Sequence, residues 1–165
     1  MSEIIKGDML VRLYDLPDHR PLLDKIAAQG ISLKRVLSPD RGKVLEFVRQ
    51  EFGEGWMQEC SVALSTQPAT CYVAVKDKQI IGFGCFEATA KNYFGPVGVR
   101  KDCRAGGVGA ALTLSCLHAM WEMGYGYAII GWVDDAAPFY EKTVGAQFIP
   151  GGTPDNSVYA KMLAF

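Results

Sequence analysis

The sequence predicts a single α/β domain: a mixed, mostly antiparallel central sheet flanked by helices. Two apolar runs, Cys71 to Val75 and Ile80 to Phe86, are joined by Lys76-Asp77-Lys78-Gln79 as a hairpin, and Tyr93 to Val99 adds a third strand to that meander. That third strand leads through the glycine turn Arg104 to Gly109 into a long apolar helix, with a further strand, Tyr125 to Val133, behind it. Ahead of the meander, the first 60 residues hold two strand and helix pairs.

Taken in order, Met9 to Leu13 reads as a short strand and Asp15 to Asp18, with Pro17, as a turn. Pro21 to Gln29 places Leu22, Leu23, Ile26 and Ala27 at helical spacing, and Gly30 supplies the C-cap. Ile31 to Leu37 is a second strand. Ser38 and Pro39 read as N-cap and first residue of a helix whose face is Val44, Leu45, Val48 and Phe52. Gly53 and Gly55 precede a short helix from Trp56 to Leu64. Pro96 lies between two glycines inside the strand Tyr93 to Val99; lacking an N–H, it marks a bulge, an edge or a place where the strand leaves its neighbour. The helix that follows the glycine turn is apolar on nearly every side and is expected to be buried. After Val133, Asp134 or Asp135 caps a short helix from Ala136 to Thr143 that Gly145 closes, and Gln147 to Ile149 and Ser157 to Leu163 read as a final strand pair. No linker or low-complexity tract interrupts the 165 residues, so one domain spans 1–165.

Composition narrows the function. With 17 Lys plus Arg against 18 Asp plus Glu, the formal charge is −1. Nothing in that balance favours nucleic acid, and an anionic ligand has to be held by a local site. No apolar run reaches membrane-spanning length and the first residues lack a signal-peptide pattern, so no membrane partner and a cytoplasmic location are expected. The five cysteines, Cys60, Cys71, Cys85, Cys103 and Cys116, include no Cys-x-x-Cys pair. Most of them read as small buried apolar residues rather than parts of a disulfide frame, and no metal is expected. His19 and His118 show no ligand spacing either.

The chemistry concentrates in Arg104-Ala105-Gly106-Gly107-Val108-Gly109. Glycines at a strand-to-helix junction let backbone amides converge, the first helical turn leaves further amides unpaired, and the helix dipole favours negative charge there. That order is what a phosphate cradle needs, although a glycine turn ahead of a helix often serves as a turn alone. The turn here lacks the Lys-Ser or Lys-Thr ending of nucleoside triphosphatase loops and the full Gly-x-Gly-x-x-Gly of dinucleotide folds.

Strand, Arg-x-x-Gly-x-Gly, apolar helix, strand, and then Pro138-Phe139-Tyr140-Glu141-Lys142 with Gly145-Ala146 before a last strand together resemble the Gcn5-related N-acetyltransferase (GNAT) family, over about Ile31 to Leu163. The resemblance implies splayed central strands, acetyl-CoA as co-substrate and an amine acceptor. It implies that the backbone of Arg104, Ala105, Gly106, Gly107, Val108, Gly109 and Ala110 holds the pyrophosphate, and that Val97, Gly98 and Val99 line the pantetheine arm, Gly98 permitting close approach. One of these strand amides would polarise the thioester carbonyl. Tyr140 matches the tyrosine beside the coenzyme sulfur, where a neutral phenol can protonate the leaving thiolate. Glu87 resembles the acidic residue facing the splay and is the candidate base. Trp56, Glu59 and Trp132 are candidates for the acceptor wall, an aromatic and acidic lining suited to a cationic amine.

Two features depart from the family pattern. Asp134 and Asp135 stand where many members carry asparagine. The segment Met1 to Gly30 precedes the usual first strand, and its residues do not choose among an added edge strand, a cover over the acceptor site and a surface that pairs subunits into a homodimer. The rival to an N-acetyltransferase is a noncatalytic acyl-CoA-binding or sensing module, since a cradle can persist without a working acceptor site.

Overall fold

A computed structural model describes residues 6–163; residues 1–5 of the N-terminal segment and residues 164–165 lie outside the described residues. The strands β1 (Gly7–Arg12), β2 (Ile31–Arg35), β3 (Cys71–Lys76), β4 (Gln79–Phe86), β5 (Tyr93–Val99), β6 (Tyr127–Val133) and β7 (Gln147–Phe148) form one sheet in the order β2-β3-β4-β5-β6-β1-β7. Every neighbouring pair is antiparallel except β5 and β6. The β3–β4 hairpin turns on Asp77 and Lys78, both at positive φ (50° and 63°), the backbone that a tight two-residue hairpin turn requires.

Alternation along β3 divides the core. Cys71 and Val73 pack with residues of α2 (Arg41–Phe52) and α3 (Glu54–Ala63), whereas Ala74 packs with α1 (Arg20–Ala27) and α4 (Val108–Glu122). The long helix α4 is buried along most of its length, as its all-round apolar sequence predicts. It lies tight on the sheet because β4 offers glycine beneath it. A Cβ on Gly82 would come to 3.1 Å from Leu112, and one on Gly84 to 3.2 Å from Cys116. The fully buried Leu112, Leu117 and Met120 fix that seat, each worth about 2–5 kcal/mol against truncation to alanine.

Most predicted elements stand within a few residues of their expected bounds, with three differences. Ser38 and Pro39 open a 3-10 turn, Ser38–Asp40, and α2 starts at Arg41 without a side-chain cap. Neither Asp134 nor Asp135 caps α5 (Ala137–Val144) through its carboxylate; the Asp134 carbonyl accepts from the Ala137 N–H instead. The expected last strand, Ser157 to Leu163, is not in the sheet. It is replaced by two 3-10 turns, Pro154–Asn156 and Val158–Lys161. The physical reason is the N-terminal segment: β1 lies between β6 and β7, so the place beside β6 that a C-terminal strand would take is filled. Buried Asp8 secures this arrangement, its carboxylate accepting from the Trp132 N–H at 3.0 Å and its own N–H donating to Gly152 O at 2.8 Å.

Candidate active site

The site opens where the two parallel strands part. β5 and β6 pair only at Tyr93–Ile129 and Phe94–Ile130. Beyond that point Gly95 turns to positive φ (116°), Pro96 has no N–H to donate, and across the gap Trp132 also adopts positive φ (52°). The rest of β5 therefore has β4 on one side and, among the described residues, no partner strand on the other, which leaves backbone groups facing the gap.

A cavity of about 920 Å³ fills the gap. Trp56 and Glu59 of α3, Val97 of β5, Trp132 of β6 and Tyr140 of α5 all line it. The fold thus gathers the predicted acceptor residues and the predicted acid from three separate elements. Tyr140 is only 8% exposed and meets Phe94 edge-on, with centroids 6.2 Å apart. Burial pushes its phenol well above the ordinary range, with the neighbouring Cys116 adding to the effect, so the group stays protonated. Thr89 donates a short hydrogen bond to the Glu59 carboxylate.

Glu87 is placed elsewhere. One of its carboxylate oxygens accepts from the Asn92 N–H at 2.6 Å and the other from the Tyr125 hydroxyl at 3.0 Å. With Arg35 and Thr66 it lines a different pocket, and it does not line the 920 Å³ cavity. The left-handed backbone at Glu87 (φ 64°) turns the side chain out of the alternation of β4. It holds the β4–β5 turn instead of facing the splay.

At the other end of β5 the chain enters a 3-10 segment, Lys101–Gly106, and Gly107 (φ 89°) turns it into α4. No side chain caps this helix start, so the first-turn amides at Val108, Gly109 and Ala110 lack the usual capping acceptor. Such an uncapped glycine corner suits an anionic group. Arg104 is exposed, with Nε donating to the Val99 carbonyl at 3.0 Å, so it ties the turn to the strand end. Three glycines prove to do different work. Gly107 is required by its backbone, while a Cβ on Gly109 would meet only ordinary contacts, Val99 at 3.8 Å and Phe139 at 4.0 Å. The close approach at Gly98 is made by the Phe52 ring, 2.5 Å from where a Cβ would stand.

Two groupings had no signal in the spacing of the sequence. Gln29 Nε2 donates to Gly106 O at 3.0 Å, bringing the N-terminal segment against the glycine turn. Cys60, Cys71 and Cys85, all buried, bring their sulfurs within 4.8 Å of one another, near enough to share one soft cation. They pack in the core with Val48 and Phe83, as small apolar residues were expected to. No helix among the described residues is long and apolar enough to cross a membrane.

Comparison with known proteins agrees with this architecture. Residues 67–143 match the family model described as the acetyltransferase (GNAT) domain. Among solved structures, a GCN5-related glucosamine N-acetyltransferase region of a fungal multi-domain GH3 beta-N-acetylglucosaminidase superposes with a TM-score of 0.71 at 13% identity, covering 87% of this chain and 20% of that one. GCN5-related N-acetyltransferases from Sphaerobacter thermophilus (TM-score 0.66, 18% identity, 89% and 50% covered) and Kribbella flavida (0.59, 16%, 89% and 56%) share the fold as well. This chain therefore matches the GNAT acetyltransferase domain family and has its mixed, mostly antiparallel fold. It spans between a fifth and about half the length of those chains. No curated protein matches it by sequence.

Proposed function

We propose that the protein transfers an acetyl group from acetyl-CoA to a primary amine held in the 920 Å³ cavity, by direct attack. One observation carries the reading. The unpartnered run of β5 lines the cavity with Tyr140 at its Pro96–Val97 end, and from its other end the chain passes through the 3-10 segment Lys101–Gly106 to the uncapped glycine start of α4, so one strand connects a buried phenol to a helix start suited to an anion.

Bound acetyl-CoA would supply the thioester, its pyrophosphate on residues 104–110 and its pantetheine arm along Val97–Val99. The chain supplies the rest. Backbone N–H groups of β5 facing the gap are fixed dipoles that stabilise negative charge growing on a carbonyl oxygen. Tyr140 holds a phenolic proton in a dry setting, ready for the departing sulfur. The acceptor amine gives up a proton to a carboxylate or an ordered water; with Glu87 engaged in its turn, the carboxylates lining the cavity are Asp134 and Glu59, and Glu59 is the one on α3 with Trp56.

The test follows release of coenzyme A thiol from acetyl-CoA across small amines, polyamines, amino sugars, amino acids and peptides, with donor binding measured in the same samples. Turnover well above the amine-free rate is expected. Donor binding without turnover on any amine would reduce the protein to an acyl-CoA-binding module, and absence of both would remove the reading.

A further inference from the structure

The C-terminal segment displaced from the sheet lies over the cavity. Val158, Tyr159, Lys161 and Met162 all contribute to its lining. Of these four, Tyr159 is the least exposed. Its phenol lies on the bare backbone of Gly131, where any Cβ would collide with the hydroxyl, and its ring meets Trp132 edge-on with centroids 5.2 Å apart. Burial raises its pKa, and the negative charge of Glu59 and then of Asp8 adds to the rise, while hydrogen bonding with Thr89 works against it. The phenol therefore sits, protonated, among Glu59, Thr89 and Asp8. The charged groups of the cavity wall are Glu59, Asp134 and Lys161, so the lining is net acidic.

We propose that the turn Val158–Lys161 is the specificity element of the acceptor site: Tyr159, seated on Gly131, wedges one end of the cavity shut and leaves, beside Glu59 and between Trp56 and Trp132, room for a compact cationic amine. This rests on the transferase reading for its chemistry and on the cavity alone for its binding. The aromatic faces and the carboxylate attract a positive charge and repel an acidic acceptor. The wedge excludes extended acceptors such as a lysine within a peptide. It is held by packing at the tip of one side chain, so a small change on either side of the contact removes it.

The experiment measures amine binding to the full chain by tryptophan fluorescence, without acetyl-CoA, and thiol release separately. The probes are a short diamine, a longer polyamine, glutamate and a lysine-containing peptide. The wild-type protein should bind the short diamine best and glutamate worst. Tyr159→Ala should cut the preference for the diamine over the peptide by about tenfold, the scale of a lost side-chain contact in a specificity pocket. Gly131→Val, which leaves the turn itself unchanged but evicts the phenol, should reproduce that loss, and Tyr159→Phe should keep it from happening. A general loss of packing would lower melting temperature without reordering the probes. The proposal is overturned if Tyr159→Ala keeps the wild-type ranking, or if the wild-type protein binds glutamate or the peptide better than the diamine, or binds none of them. Ranked binding that shifts as expected with no thiol release in any protein would support the wedge and count against the transferase reading; thiol release with an unshifted ranking would do the reverse.

Discussion

Tyr140 and Glu87 stood in the sequence as a matched acid and base, and the fold separates them. Tyr140 lies in the cavity with its phenol buried. Tyr140→Phe should lower turnover by about a hundredfold, the low end of the range for a positioned proton donor, while acetyl-CoA affinity changes little. Because burial raises the phenol, ionisation of Tyr140 should cause no alkaline loss of rate at or below its ordinary value near 10; a falling limb there that vanishes in Tyr140→Phe would contradict this. Glu87→Gln should shift the melting temperature through the Asn92 and Tyr125 contacts and leave the pH–rate profile in place, whereas Glu59→Gln should move it. The position of Tyr140 was legible because it sits in a local Phe139-Tyr140-Glu141-Lys142 pattern next to a helix start. The direction of Glu87 was not, because one left-handed residue at the end of a strand reverses a side chain and glutamate carries no sequence sign of that conformation.

Among elements, the glycine turn was the most legible. Gly107 is left-handed, and a β-branched residue there would be strained by about 1–2 kcal/mol. Gly107→Val should therefore weaken acetyl-CoA binding about tenfold or more, read by calorimetry, while Gly109→Ala should be far milder. The packing of α1 against α4 makes a different kind of prediction. His19 and His118 stack with centroids 4.3 Å apart, His118 Nε2 donates to the Pro17 carbonyl at 2.8 Å, and the buried Nδ1 of His19 has no hydrogen-bond partner among the described residues. Burial, and then the charge of His118, lower the pKa of His19 below its ordinary 6.5. The unfolded chain thus takes up a proton first as pH falls. The stability due to neutral His19 is complete above about pH 6.5 and is lost as pH drops towards the lowered folded value. Melting temperature should fall over that interval, and His19→Leu should flatten the slope. No spacing rule pairs residues 19 and 118, so this contact could not be read from the chain.

At the scale of the whole molecule, the meander, the buried helix and an irregularity of β5 at Pro96 were readable, because each rests on local chemistry: alternation, an apolar helix on all sides, a residue without an N–H; that the irregularity is a parting from β6, and neither a bulge nor an edge, came from the family resemblance. What the sequence misassigned was the far edge of the sheet. Two apolar segments, one near each terminus, compete for the place beside β6, and periodicity alone does not rank them. The outcome decides the site as well as the topology. Since β1 took the place, the C-terminal segment was left to close the cavity.

That interleaving also has a consequence in time. A chain made from its N-terminal end produces Gly7–Arg12 before either strand it will lie between, for Arg12 pairs with Tyr127 and Met9 with Phe148. Throughout synthesis of the meander and α4, this apolar stretch has no edge to join. The arm of the splay built on β6 is completed only when nearly the last of the sheet arrives, a contact pattern of high sequence separation that belongs to slow folders. The strands from β2 to β5 and the glycine turn are thus all made before β6, and the arm of the splay built on β6 waits for β1 and β7 to meet beside it.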